Sequence, residues 1–171
     1  MTAFDDSFVK LHDAEGGYST VRSDPGNWTG GKVGEGDFKG TKYGISAAAY
    51  PHLDIINLTL EQAKTIARQD YWEPVRGDEL PPANAHALFD CAYNQGVGTS
   101  IKLFQKALGV TPDGVFGEQT MAAFKAADPK AFARAFTVAR IIRYSMAPGW
   151  ISDAKGWTGR ALDSFTEMLQ A

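Results

Sequence analysis

Two carboxylates with eight residues between them, Glu15 and Asp24, are the side chains of this sequence best suited to paired acid and base work. Cleaving a glycosidic bond needs an acid that keeps its proton near neutral pH and gives it to the leaving oxygen. It also needs a second group that handles water or steadies positive charge on the sugar. Phe4, Phe8 and Leu11 fall at i, i+4 and i+7, one stripe of an amphipathic helix, and four more residues reach Glu15. Eleven steps of about 100° bring Glu15 back to within roughly 20° of the face that Phe4 starts. Desolvation on that face disfavours a charged carboxylate and raises its pKa. Asp24, in the turn segment Asp24-Pro25-Gly26, is expected to accept hydrogen bonds that keep it ionised. The two environments differ in the direction the two roles require. Spacing alone also allows a plainer reading, with Glu15 a surface residue before Gly16-Gly17 and Asp24 part of an ordinary turn.

The elements that must position these groups are legible in outline. Seven of the eighteen glycines lie between Gly26 and Gly44, so residues 19–44 are expected to form turns and short strands. Thr59 with Gln62 three residues on is a capping-box pattern, opening a helix with Ala63, Ile66, Ala67 and Tyr71 along it. After Pro81-Pro82, the stripe Ala85, Leu88, Phe89, Ala92 runs to Gly96. Ile101, Phe104 and Leu108 mark a further helix that stops at Gly109. Asp113-Gly114 is a turn, and Met121 and Phe124 lie on a short helix. Asp128-Pro129 reads as the cap and first residue of a longer helix holding Phe132, Phe136 and Ile142. Leu162, Phe165 and Leu169 are the expected buried face of the terminal helix.

Composition removes several function classes. The 171 residues include ten Phe and four Trp, enough for a sizeable core, and the net charge is −3. Residues 1–124 carry 10 Lys/Arg against 16 Asp/Glu, and residues 125–171 carry 7 against 4. The basic excess of the last third is too small for a nucleic-acid footprint, and most charges are expected on solvated helix faces. Cys91 is the sole cysteine, which excludes an intramolecular disulfide, and beside Ala92 it reads as a small core residue rather than a nucleophile. His12, His52 and His86 lack metal-ligand spacing, so no metal or other cofactor is expected. Gly26 to Lys32 nearly spells a phosphate-binding loop, but Val33 stands where a magnesium-binding hydroxyl belongs. Ser7-x-x-Lys10 lacks the partner motifs of a serine acyl-enzyme, and both residues are expected on the polar side of the first helix. No 18-residue apolar run is present and residues 1–10 do not resemble a signal peptide.

Several strings, in order, resemble glycoside hydrolase family 108, a group of phage endolysins and related bacterial muramidases. They are Glu15-Gly16-Gly17-Tyr18, Asp24-Pro25-Gly26 and Thr41-Lys42-Tyr43-Gly44-Ile45-Ser46. Phe89 to Gly96 looks like the helix that lines that family's cleft, and Gly156-Trp157 with Arg160 matches a terminal signature. Leu103 to Leu108, Asp113 to Gly117 and Thr120 resemble a peptidoglycan-binding segment. The resemblance implies that Glu15 is the catalytic acid. Phage-type lysozymes, which are also similar, space Glu, Asp and Thr by eight and five residues. Glu15 and Asp24 keep the first interval, but Thr29 comes one residue early and Thr41 lies beyond about a dozen extra residues. We favour Thr41, because Thr29 falls in the apparent insertion.

The expected fold is thus lysozyme-like, mainly α (α+β), with a small glycine-rich β element near the N-terminus. Residues 1–95 are expected to form the hydrolase region and 96–171 a helical peptidoglycan-binding region on the same body. The implied activity is hydrolysis between N-acetylmuramic acid and N-acetylglucosamine by Glu15, Asp24 and Thr41, with Tyr18, Tyr43, Tyr93 and Asn94 contacting the glycan. A lytic transglycosylase using the same glutamate and a non-catalytic wall-binding protein are the alternatives. The expected partner is the peptidoglycan strand, with no nucleic acid, no stable membrane insertion and a monomeric chain. Synthesis is expected in a bacterial cytoplasm, with another factor releasing the protein to the wall or periplasm.

Overall fold

A computed structural model describes residues 1–15, 17–147 and 149–170, and for 12–15 it describes the helical backbone alone. The chain divides into two compact units, Asp5–Arg68 and Met1–Phe4 with Gln69–Ala171. It is mainly helical with a small antiparallel sheet near the N-terminus, as the sequence leads one to expect.

In the first unit, helix α1 (Ala3–Glu15) buries Phe8 and Leu11, and Asp5 and Asp6 place negative charge at its dipole-positive start. Ser7 is buried as well, against the expectation that it faces solvent. Residues 4, 7, 8 and 11 form one i, i+3, i+4, i+7 face, so Ser7 fills a position on the core stripe.

The sheet joins β1 (Tyr18–Ser19), β2 (Thr41–Lys42) and β3 (Ile45–Ser46) in that order, with Tyr18 opposite Lys42 and Thr41 opposite Ser46. Between β2 and β3, Tyr43 and Gly44 both take positive φ, which closes a two-residue hairpin. A non-glycine residue pays roughly 1–2 kcal/mol for that conformation. At Gly40 a side chain is sterically excluded, because a Cβ would sit 2.6 Å from the Ser19 carbonyl and from the Tyr18 ring.

The glycine-rich stretch between these strands is ordered by an aromatic staple. Trp28 pairs with Phe38 at 5.1 Å between ring centroids, and the Arg22 guanidinium covers Phe38 at 4.6 Å. Helix α2 (Leu60–Ala67) opens with both halves of the capping box, Gln62 N donating to Thr59 Oγ1 and Thr59 N to Gln62 Oε1.

In the second unit α3 (Pro82–Gln95) is buried on most sides, with Ala85, Leu88, Phe89 and Ala92 joined by Ala87, Asp90 and Cys91. Gly96 and Gly109, both at positive φ, end α3 and α4 (Val97–Ala107). Beyond α5 (Glu118–Ala126), Asp128 caps α6 (Pro129–Ser145) by accepting from Ala131 N at 2.7 Å. Phe104 stands at the centre of an aromatic cluster with Phe116, Phe124, Phe132 and Phe136. Gln105 is buried and knits α4 to the following turn. Its amide nitrogen contacts Asp113 Oδ1 at 2.7 Å and Thr120 Oγ1 at 3.0 Å, and its oxygen accepts from Gly114 N at 2.9 Å.

One expectation about a helix face is corrected. Helix α7 (Trp150–Gln170) buries Ala161, Ser164 and Met168, while Leu162 and Leu169 are exposed. The small residues let α7 lie close to its neighbours, which turns the larger leucines out one position away. Ile142 is half exposed, because the buried face of α6 runs through Phe132, Phe136, Arg140 and Tyr144, and six helical steps carry Ile142 off it.

Candidate functional site

The side chain of Glu15 lies outside the described residues, so the site is built from its other members. Asp24 caps a 3₁₀ turn, Pro25–Asn27, and its Oδ1 accepts from Gly26 N at 2.8 Å. The last residue of that turn, Asn27, is fully buried. Its Nδ2 donates to the Val21 carbonyl at 2.9 Å, and its own carbonyl accepts from Lys39 N and Gly40 N, each at 3.1 Å. Its side-chain oxygen accepts from the Thr41 hydroxyl at 2.7 Å.

The turn that carries Asp24 is therefore clasped to strand β2 through one buried amide. Nothing local in the sequence singles out Asn27, because the hydroxyl it binds lies fourteen residues away in β2. The two candidate threonines have separate duties. Thr41 bonds to Asn27, whereas Thr29 Oγ1 accepts from Asp37 N at 2.8 Å inside the glycine-rich loop.

A hydroxyl has one proton to give and two lone pairs. With the Thr41 proton committed to Asn27, its oxygen is left as an acceptor, able to take a hydrogen bond from water. Asp24, ionised, is acceptor-only. Tyr18 and Tyr43 flank the same sheet. The Tyr18 hydroxyl donates to the Lys39 carbonyl at 2.9 Å, and the Lys42 ammonium lies 5.4 Å from the Tyr43 ring centre.

The other two predicted binding residues end helix α3, in the second unit. Tyr93 is half-buried with its ring 4.7 Å from that of Tyr71 and 5.8 Å from that of Phe89. Asn94 is occupied internally. Its Nδ2 donates to the Asp90 carbonyl at 2.8 Å, and its Oδ1 accepts from Arg160 Nη1 at 3.0 Å. Behind it lies a buried charge pair absent from the sequence reading. Asp90 Oδ2 accepts from Arg140 Nη2, both groups are sealed from solvent, and Arg160 approaches the other Asp90 oxygen at 3.5 Å. A carboxylate inside an otherwise apolar helical stripe was the available signal for Asp90, but nothing local names its partner fifty residues on.

Cys91 is fully buried, and burial pushes its thiol up to about 12, so it stays protonated and unreactive at neutral pH. Among the described residues no three His, Cys, Asp or Glu side chains are grouped to hold a metal ion, and no helix is long and apolar enough to cross a membrane.

Known proteins resemble this chain along nearly its whole length. Residues 8–96 match the family described as Glycosyl hydrolase 108, and residues 99–160 match a Predicted Peptidoglycan domain. A solved structure from Brucella abortus, titled as that of SagA, is 29% identical, with 98% of this chain and 94% of that one covered and a TM-score of 0.82. No curated protein matches the chain significantly.

Proposed function

Since the chain belongs to the glycosyl hydrolase 108 family and carries a peptidoglycan domain, we propose that it hydrolyses the bond between N-acetylmuramic acid and N-acetylglucosamine, acting as an endolysin. Its architecture is lysozyme-like, mainly helical with a small β element. In this reading Glu15 protonates the bridging oxygen while Asp24 and Thr41 hold the attacking water, giving inversion at the anomeric carbon. Tyr18, Tyr43, Tyr93 and Asn94 contact the glycan. The observation that carries the reading is the Asp24 turn clasped to Thr41 through Asn27, within the segment that matches the hydrolase family. The wall lies outside the inner membrane, so an endolysin made in the cytoplasm reaches it after release by another factor.

Product analysis on purified walls tests the bond and the chemistry together. Fragments are expected to end in reducing N-acetylmuramic acid and to carry the mass of one added water. Anhydro ends would mean lytic transglycosylation, and reducing N-acetylglucosamine ends would mean cleavage of the alternate linkage; either overturns the proposal.

The clasp yields its own prediction. Thr41→Val keeps the shape but strands the buried Asn27 oxygen, and is expected to cost about 1–2 kcal/mol in denaturant unfolding. Wall clearing is expected to fall about tenfold or more, as the water loses one of its two anchors. Thr41→Ser restores the hydroxyl and is expected to recover both; a serine variant as impaired as the valine would remove the hydroxyl from the mechanism.

A further inference from the structure

Helix α7 carries two rows of core-type residues, and its own unit covers only one of them. Ala161, Ser164 and Met168 are buried, and Trp157, one turn earlier, stacks on Tyr144 of α6. Displaced by one residue runs a second row, Ile151, Lys155, Thr158, Leu162, Phe165 and Leu169. Its spacing of four, three, four, three and four residues is that of a helix seam that meets another helix. Eighteen helical steps bring Leu169 back under Ile151, with Leu162 about 20° away. The described residues leave the row open: Ile151 is 97% exposed, Leu162 47% and Leu169 42%.

Turned end for end, this row is complementary to itself. Paired antiparallel about residue 160, it sets Ile151 against Leu169, Lys155 against Phe165 and Thr158 against Leu162. The two members of each pair are equidistant from the axis, so one register serves the whole row. The same pairing brings Lys155 of one copy towards Asp163 of the other. Both are exposed, and neither has an ion-pair partner among the described residues. A parallel pairing would set lysine on lysine and aspartate on aspartate. Asp153, Asp163 and Glu167 on the same helix also disfavour an anionic lipid surface as the occupant.

Gly159 stands beside the axis. Glycine is a poor residue for the middle of a helix, and a Cβ at 159 would meet nothing within 4 Å. Close approach of a second helix supplies the reason for it that the single chain lacks.

We propose that α7 is the interface of a homodimer, its outward row paired antiparallel with that of a second copy about a two-fold axis near residue 160. One helix per copy is a small contact, so the dimer is weak and reversible. It is independent of the catalytic chemistry.

Sedimentation equilibrium of the full chain from about 1 μM to about 1 mM tests it. The mass is expected to rise from one chain towards two. Leu162→Glu is expected to weaken the dimer about tenfold or more and to leave the Tm of dilute protein unchanged. Lys155→Glu and Asp163→Lys are each expected to weaken it, and the two together to restore it. Under mild oxidation Gly159→Cys is expected to form a linked dimer. Leu169→Cys is not, because its two copies stand about 27 Å apart along the helix.

A chain that stays monomeric throughout would overturn the proposal, as would a dimer that Leu162→Glu leaves intact. Efficient linkage through Leu169→Cys, or a charge-swapped double variant no better than the singles, would refute the antiparallel register. A monomeric chain that sediments with anionic vesicles, and stops doing so in Leu162→Glu, would give the face to lipid instead.

Discussion

Glu15→Gln is expected to lower the rate of wall degradation by about 10²–10⁴-fold, the usual contribution of a positioned general acid. The amide has nearly the shape of the carboxylic acid and no proton to transfer, so the loss should fall on turnover and not on wall affinity. Helix α1 runs to residue 15, and its face through Phe8 and Leu11 is buried. Dye release from stained walls measures the rate, and co-sedimentation with intact walls measures the affinity. A variant that binds walls poorly but turns over normally would reassign Glu15 to binding.

The second large effect is on stability. Asp90→Leu is expected to cost about 3–5 kcal/mol, because it leaves the Arg140 guanidinium sealed in the core without its carboxylate partner, the Ala87 carbonyl lying 3.3 Å away. For a chain of this size that lowers Tm by ~10 °C or more. Arg140→Met is expected to cost less, since Arg160 and Asn94 still engage the Asp90 carboxylate. The double variant Asp90→Leu/Arg140→Met is expected to recover most of the loss, as no stranded charge remains. Thermal melts of the three variants check the order. A double variant as unstable as the sum of the singles would mean that the pair does more than neutralise itself.

Local physics explains which features were readable. The Thr59 capping box, the Asp128 cap and the left-handed glycines at 96 and 109 are written within four residues of where they act, and each is in place. The Phe4, Phe8, Leu11 stripe is equally local. Features that depend on partners far along the chain were not readable. Nothing near Asn27 says that Thr41 will donate to it across fourteen residues, and nothing near Asp90 names Arg140. The terminal helix failed for another reason. Hydrophobicity ranks Leu162 and Leu169 above Ala161 and Ser164, but close helix packing selects small residues and turns the leucines outward.

Digestion of purified wall glycan in ¹⁸O-labelled water, with wild-type and Glu15→Gln protein side by side, tests the central claim most directly. Wild-type protein should release fragments with one labelled oxygen on a reducing N-acetylmuramic acid, and the variant should release almost none. The same labelled fragments from the variant at a rate close to wild type would contradict the claim that Glu15 supplies the proton.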